Sequence, residues 1–365
     1  MIMAHKLKIG VVGVGFGAQV HIPAFQSEGL DVIAVAARRE ERAKETAEKF
    51  DIPNFFSDYE LMLELNDLDA VSIATPVHLH LPIVLAALKA GKHVICEKPF
   101  STDQATAKEM LNAANESKKT AMIAHEFRFS SGRSRVKELI DEGHIGELQM
   151  ALVTLVTGPR RPIKPRPLTD RDVAENGGGF LFGLGSHYID ALRQWFGEIS
   201  SVSGTTRTHY PDRINEETGN IVQSNADDTF QFRVEFASGG WATMVASSAA
   251  PYGPGGRMEV YGTDGTLITP HVGPGMNPPA HGKILAAKLG QESLNEETIP
   301  DRLQPFEDDR DDRLMPFRLL TREFLRGIDE GISPAPNFYD GYRCQQILDG
   351  IRESSLTGNE VQIEL

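Results

Sequence analysis

A six-residue turn constrains this chain more than any other feature of its sequence. Gly13-Val14-Gly15-Phe16-Gly17-Ala18 follows the apolar, strand-like run Leu7–Val12 and opens a helical pattern. This is the G-x-G-x-x-A spacing of a dinucleotide-binding turn. Gly13 permits the tight turn, and Gly15, lacking a Cβ, lets a pyrophosphate approach the backbone. Ala18 allows helix and strand to pack closely, with Phe16 and Gly17 completing the loop. The helix start then offers unsatisfied N–H groups and a positive dipole end to the anion.

The next hundred residues repeat that unit. Apolar runs at Asp31–Ala37, Asp69–Ala74, His93–Cys96 and Thr120–Ala124 alternate with helical patterns at Ala18–Gln26, Glu40–Phe50, Pro82–Ala90 and Thr102–Ser117. Gly91 is placed to end the third helix. The alternation predicts an α/β domain with a parallel, doubly wound sheet, and right-handed crossovers put every post-strand loop on one ligand-binding edge. From residue 126 the pattern changes to strands with few helices: Leu148–Thr157, Val202–His209, Phe230–Phe236, Trp241–Ala246 and Met258–Tyr261. Short turns such as Ala237-Ser238-Gly239-Gly240 predict antiparallel pairing. The expected architecture is therefore a Rossmann domain over 1–125 and an α+β domain over 126–365 with a large open, mainly antiparallel sheet. Pro270–Asp312 reads as a long excursion with one short helix, before helices at Met315–Ile328 and Gly341–Ser354.

Composition narrows the partners. At 365 residues, 40% hydrophobic and 24% charged, the chain has material for two cores. A net charge of −14 repels nucleic acid and anionic lipid, so neither is an expected partner. No run of 18 apolar residues predicts a membrane span, and the first residues lack a signal-peptide pattern. Cys96 and Cys344 are the only cysteines, which excludes a disulfide scaffold and fits a reducing compartment, so the expected location is cytoplasmic. No His/Cys/carboxylate cluster predicts a metal, and no G-x-S-x-G elbow predicts a serine hydrolase.

Two further motifs carry chemistry. The second strand ends Val35-Ala36-Ala37-Arg38-Arg39, with no acid at its tip. A guanidinium there can fork onto a 2′-phosphate, which predicts NADP over NAD. The alternative is that Arg38 and Arg39 are solvated helix-entry charges. Further along, Val94-Ile95-Cys96-Glu97-Lys98-Pro99 ends a strand with a charged pair at the ligand edge. Lys98 can there hydrogen-bond a substrate oxygen and share its proton.

With these residues together the chain resembles the glucose–fructose oxidoreductase and inositol dehydrogenase (Gfo/Idh/MocA) family. The likeness rests on the opening turn with His21 beyond it and on Ala74-Thr75-Pro76-Val77-His78-Leu79-His80. It rests also on Glu97-Lys98-Pro99, and on Gly177-Gly178-Gly179 followed by Gly185-Ser186-His187-Tyr188-Ile189-Asp190. The resemblance implies NAD(P)-dependent oxidation and reduction of sugars or polyols. It puts Thr75, Pro76, His80 and Glu97 at the cofactor, Lys98 and His187 in catalysis, and Tyr188 at the substrate. It also implies a cis bond before Pro99 and a homodimer or homotetramer through the open sheet.

The third motif departs from the family pattern, which has an Asp four residues before His187; here that residue is Gly183. His187 is still expected to take the hydroxyl proton as hydride leaves, a role worth about 10²–10⁴ in rate. Glu126 and Arg128, just past the last strand, are candidate substrate contacts, with a Glu126–Arg128 ion pair as the structural alternative. The basic stretch Gly158–Arg171 fits either an anionic substrate or a solvated loop, and the acidic run Glu307–Asp312 is expected to be solvated. Gly183 keeps open a cofactor-binding module without turnover, and the family's glycosidase branch adds a third reading, a hydride-assisted elimination enzyme.

Overall fold

In the computed structural model, described over residues 6–272 and 283–365, the chain divides into two compact units. The first comprises the described residues up to Glu126 together with Asp308–Gln345. The second comprises Phe127–Glu307 and Gln346–Leu365.

The first unit alternates strand and helix: β1 (Lys8–Val12), α1 (Ile22–Ser27), β2 (Asp31–Ala36), α2 (Glu40–Lys49), β3 (Asn54–Phe56), α3 (Tyr59–Leu63), β4 (Ala70–Ile73), α4 (His80–Lys89), β5 (His93–Cys96), α5 (Gln104–Ser117) and β6 (Ala121–Ile123). The six strands are all parallel in the order β3-β2-β1-β4-β5-β6, so the strand order reverses between β1 and β4. Ligands of such sheets bind at that reversal, outside the carboxyl ends of the strands. The strands read as continuous apolar runs because helices cover both faces; Val71, Ile73, Val94 and Ile123 are fully buried. Each such side chain contributes about 1.5–3 kcal/mol on burial. Asp103 caps α5 by accepting from Thr106 N at 2.8 Å, and Gly91, at φ +72°, follows the end of α4 as expected. The expected helix Ala18–Gln26 forms as a single π-helical turn, Gly17–His21, running directly into α1. Pro23 has no N–H for a regular helix through this point. Neither β3 nor α3 was expected, because three and five residues are too few to show a period.

The second unit contains α6 (Ser131–Asp141), β7 (Leu148–Val156), β8 (Arg166–Pro167), α7 (Ser186–Phe196), β9 (Ile199–Arg207), β10 (Asp212–Ile214), β11 (Ile221–Gln223), β12 (Thr229–Phe236), β13 (Trp241–Ser247), β14 (Gly255–Gly262), β15 (Gly265–Val272), β16 (Ile284–Lys288) and β17 (Asn295–Glu297). The chain then forms α8 (Leu314–Glu330), α9 (Phe338–Thr357) and β18 (Val361–Gln362). Nine strands pair in the order β17-β16-β15-β14-β7-β13-β12-β9-β18, and β8, β10 and β11 make a small separate sheet. The Ala237–Gly240 turn does join an antiparallel pair, β12 and β13, but β13 runs parallel to β7. The large sheet is therefore mixed and mostly antiparallel. Alternation along β12 buries Phe230, Phe232, Val234 and Phe236 and leaves Gln231 and Arg233 exposed, so one face is apolar and one is wet.

Two expectations are corrected. The division at 125/126 misses the return of Asp308–Gln345 to the first unit, where Ala121 N donates to Ser333 Oγ at 3.0 Å and Phe338 packs on Phe100 at 4.7 Å. The excursion Pro270–Asp312 carries β16 and the edge strand β17, with a short 3₁₀ turn at Asp301–Leu303; its residues 273–282 lie outside those described. No helix among the described residues is long and apolar enough to cross a membrane.

Candidate active site

The glycine turn is shaped by close backbone approach. Gly13 has φ +100°, and a Cβ there would lie 2.3 Å from the carbonyl oxygen of Ala74. Only glycine fits. A Cβ on Gly17 would lie 2.9 Å from Val11, so Gly17 makes the close helix–strand contact that the sequence suggested for the half-buried Ala18. Gly15 is exposed, and a Cβ there would meet nothing within 4 Å. That open cradle, set against a fully packed neighbour on either side, fits a pyrophosphate. Arg38 and Arg39 follow β2 at the same edge, both exposed and without an ion pair among the described residues. Thr75 Oγ1 is inaccessible and has no hydrogen-bond partner, whereas Pro76 is exposed and caps a short 3₁₀ turn.

His80 requires a correction. Its ring is fully buried, with Nδ1 3.1 Å from the Phe100 carbonyl and Nε2 3.1 Å from the Thr75 carbonyl. Burial pushes the imidazole below its ordinary value, and a neutral ring has one N–H to donate between those two carbonyls. His80 therefore shapes the Thr75 turn and presents no polar atom to a cofactor. Glu97 is likewise internal. Its Oε1 lies 2.9 Å from His21 Nε2, its Oε2 accepts the Lys98 backbone N–H at 3.1 Å, and His21 Nδ1 is 2.6 Å from Ser72 Oγ. Burial opposes its ionisation, but the His21 contact and the Lys98 charge outweigh it and hold the carboxyl below its usual range. Glu97 thus orients the Lys98 backbone from β5, ahead of a cis Lys98–Pro99 bond.

Glu126 follows β6, the strand beside β5, at the start of a short 3₁₀ turn, and is 1% exposed. Its Oε2 has neither accessible surface nor a hydrogen-bond partner. Burial, reinforced by the Glu97 charge, raises its carboxyl to about 8 against the opposing charges of Lys98 and Arg313. The alternative pairing with Arg128 does not form: Arg128 Nε and Nη2 close on Asp190 at 2.7 and 2.6 Å. That fork holds Arg128 on Asp190 rather than on Glu126.

Arg313 was not anticipated. It precedes α8, lies 4.8 Å over the Phe16 ring, and is held by Asp311 at 2.6 Å. The acidic run around it is not merely solvated, since Asp308, only 4% exposed in its side chain, pairs with Arg310 and Arg318. The visible signal was Asp308/Arg310 and Asp311/Arg313, acid and base two residues apart.

In the second unit, α7 is preceded by a wide turn, Leu181–Gly185, anchored by Asp227 accepting from Leu181 N at 2.8 Å. Burial raises the Asp227 carboxyl to about 6. Gly183 lies in this turn, and a Cβ there would meet nothing within 4 Å, so the missing carboxylate leaves open space rather than a repacked core. His187 is buried, its ring stacked on Phe127 at 3.8 Å and 12°, and its carbonyl accepts from Arg133 Nη1 at 3.1 Å. Tyr188 is buried beneath the Arg133 guanidinium at 4.6 Å, and burial raises its hydroxyl. In the basic stretch, Arg166 pairs with Asp172, which Arg213 also holds; Arg160, Arg161, Lys164 and Arg171 are exposed.

Comparison with known proteins agrees with this geometry. Residues 7–125 match the model of the oxidoreductase family with an NAD-binding Rossmann fold (Gfo/Idh/MocA), and residues 134–268 match the Gfo/Idh/MocA C-terminal domain. Levoglucosan dehydrogenase of Pseudarthrobacter phenanthrenivorans is 28% identical over 98% of each chain. The trans-1,2-dihydrobenzene-1,2-diol dehydrogenase of Mus musculus is 32% identical, over 67% of this chain and 70% of its own. A solved levoglucosan dehydrogenase in complex with NADH and levoglucosan superposes with a TM-score of 0.87 at 26% identity, covering 99% of this chain and 100% of that one. The chain belongs to the Gfo/Idh/MocA family of nicotinamide-dependent oxidoreductases.

Proposed function

We propose that this oxidoreductase is an NADP-preferring dehydrogenase that interconverts the CH–OH and C=O forms of a sugar, polyol or related compound. The observation that carries the reading is the single strand edge of the first unit. It gathers an open glycine cradle, two arginines without an ion pair among the described residues, and a lysine whose backbone is clamped by Glu97. The turn Gly13–Ala18, Thr75 and Arg313 would hold the dinucleotide, and Arg38 and Arg39 its 2′-phosphate. NADP, when bound, supplies the two-electron hydride exchange. Lys98 hydrogen-bonds the substrate oxygen through its ammonium, and His187 takes the hydroxyl proton on oxidation and returns it on reduction. Sugar relatives support the substrate class, among them the NADP-dependent D-xylose 1-dehydrogenase of Haloferax volcanii, 26% identical over 98% of this chain.

The test is a spectrophotometric screen of sugars, polyols and their oxidised forms with both cofactors. Lys98→Ala and His187→Ala should each cost about 3–5 kcal/mol of transition-state stabilisation. If both act on one substrate, the double variant will lose far less than the product of the two single losses. A higher kcat/KM with NAD overturns the NADP assignment. Gly183 favours a second reading, a cofactor-binding module without turnover. Tight cofactor binding with no substrate from the screen would establish that reading instead. The wet face of the large sheet suits a second copy of the chain, as dimer or tetramer, which sedimentation checks. Two buried, unbridged cysteines suit a reducing, cytoplasmic setting.

A further inference from the structure

Two carboxyl side chains stand at the ends of adjacent parallel strands in the first unit, and their surroundings differ. Glu97, after β5, has each oxygen engaged, by His21 and by the Lys98 N–H. Glu126, after β6, is buried with Oε2 unpartnered. The charged groups facing Glu126 are Glu97 and Lys98 from the end of β5 and Arg313 from the start of α8. A negative oxygen buried without a donor is costly, and a like charge nearby adds to the cost; a protonated carboxyl avoids both.

We propose that Glu126 works as a neutral carboxylic acid, donating its O–H to an oxygen of the polyhydroxylated substrate beside the Lys98 ammonium. This rests on the oxidoreductase reading above. The carboxyl's elevation to about 8 agrees with the geometry. Pairs of carboxyls pushed toward opposite protonation states recur where one must donate and the other must stay charged. Here Glu97 stays ionised and positions Lys98, while Glu126 polarises the substrate oxygen. Glu126 keeps its proton throughout, so the single proton exchanged with each hydride is the one His187 takes and returns, while Lys98 and Glu126 only donate hydrogen bonds.

The experiment pairs an infrared measurement on the unliganded protein with pH profiles of Glu126→Gln and Glu126→Ala. Wild type should show a carboxylic-acid C=O band at neutral pH that Glu126→Gln removes and that fades as pH rises through about 8. Glutamine preserves a neutral donor, so kcat/KM at pH 6.5 should stay within about threefold of wild type, and the loss that wild type shows above pH 8 should disappear. Glu126→Ala should lose roughly a hundredfold. An absent band overturns the neutral Glu126. So does a glutamine variant as impaired as alanine, which would mean that an ionised base is needed. Full activity in Glu126→Ala overturns the substrate contact. A wild-type protein that turns over no sugar or polyol, with the band present, overturns the oxidoreductase reading and the substrate contact together while leaving the protonation state established.

Discussion

Glu126 in the first unit and Asp172 in the second are both carboxyls at most 2% exposed, yet burial leads them to opposite states. Asp172 accepts from Arg166 at 2.8 and 2.6 Å, from Arg213 at 2.7 Å, and from the Thr169 hydroxyl and backbone N–H at 2.7 and 3.0 Å. Burial opposes its ionisation, but those donors outweigh it and hold the carboxyl at about 2. Glu126 Oε2 has no donor and its carboxyl is held at about 8. Depth alone therefore does not set a group's role. A carboxyl whose lone pairs are all answered by the protein is part of the architecture, whereas one left unanswered at a ligand edge has capacity to spare for a ligand.

Four measurements would break or sharpen that contrast. The largest effect is expected for Asp172→Ala, which strands two guanidinium groups. Discounting for Arg166, which is half exposed, unfolding free energy should fall by about 2–3 kcal/mol in a denaturant titration. An unchanged midpoint would remove Asp172 from the architecture. The next effect is in pH. Asp172 has a folded value below its ordinary 3.8, so its contribution is present above that pH and is lost as pH falls toward about 2. Glu126 has a folded value above its ordinary 4.5, so stability falls as pH rises from about 4.5 to about 8. Melting temperatures of Asp172→Asn and Glu126→Gln against wild type should therefore diverge at opposite ends of the pH scale. Parallel curves would contradict the comparison.

A smaller effect is expected where a cation meets the glycine turn. Arg313→Ala removes the guanidinium over Phe16, and the NADP dissociation constant, read by fluorescence, should rise about fivefold, or ~1 kcal/mol. No change would exclude Arg313 from the cofactor site. Smallest of all, Gly183→Asp enters open space in the turn before α7 and should shift stability by no more than about 0.5 kcal/mol. A large loss would show that the turn excludes a side chain there.

Much of this molecule was legible in advance. The buried strands of the first unit were readable because a parallel sheet covered on both faces must be written as unbroken apolar runs. Glycines at 13 and 15 were readable because backbone approach and open space both require the absence of a Cβ. What stayed hidden were relations between distant segments. Residues 308–345 rejoin the first unit through contacts such as Ala121 N to Ser333 Oγ, some two hundred positions apart, and no local period records such a pairing. His80, Glu97 and Arg128 looked like ligand groups by motif, but the atoms that occupy them are Phe100 and Thr75 carbonyls, His21 and Asp190.

Sequence alone determined the class of ligand edge and the side chains available there, because hydrophobic period and glycine placement are local properties of the chain. Tertiary structure alone decided which of those side chains are already satisfied, because a buried polar group's protonation and freedom depend on the donors and charges that folding brings within hydrogen-bond reach.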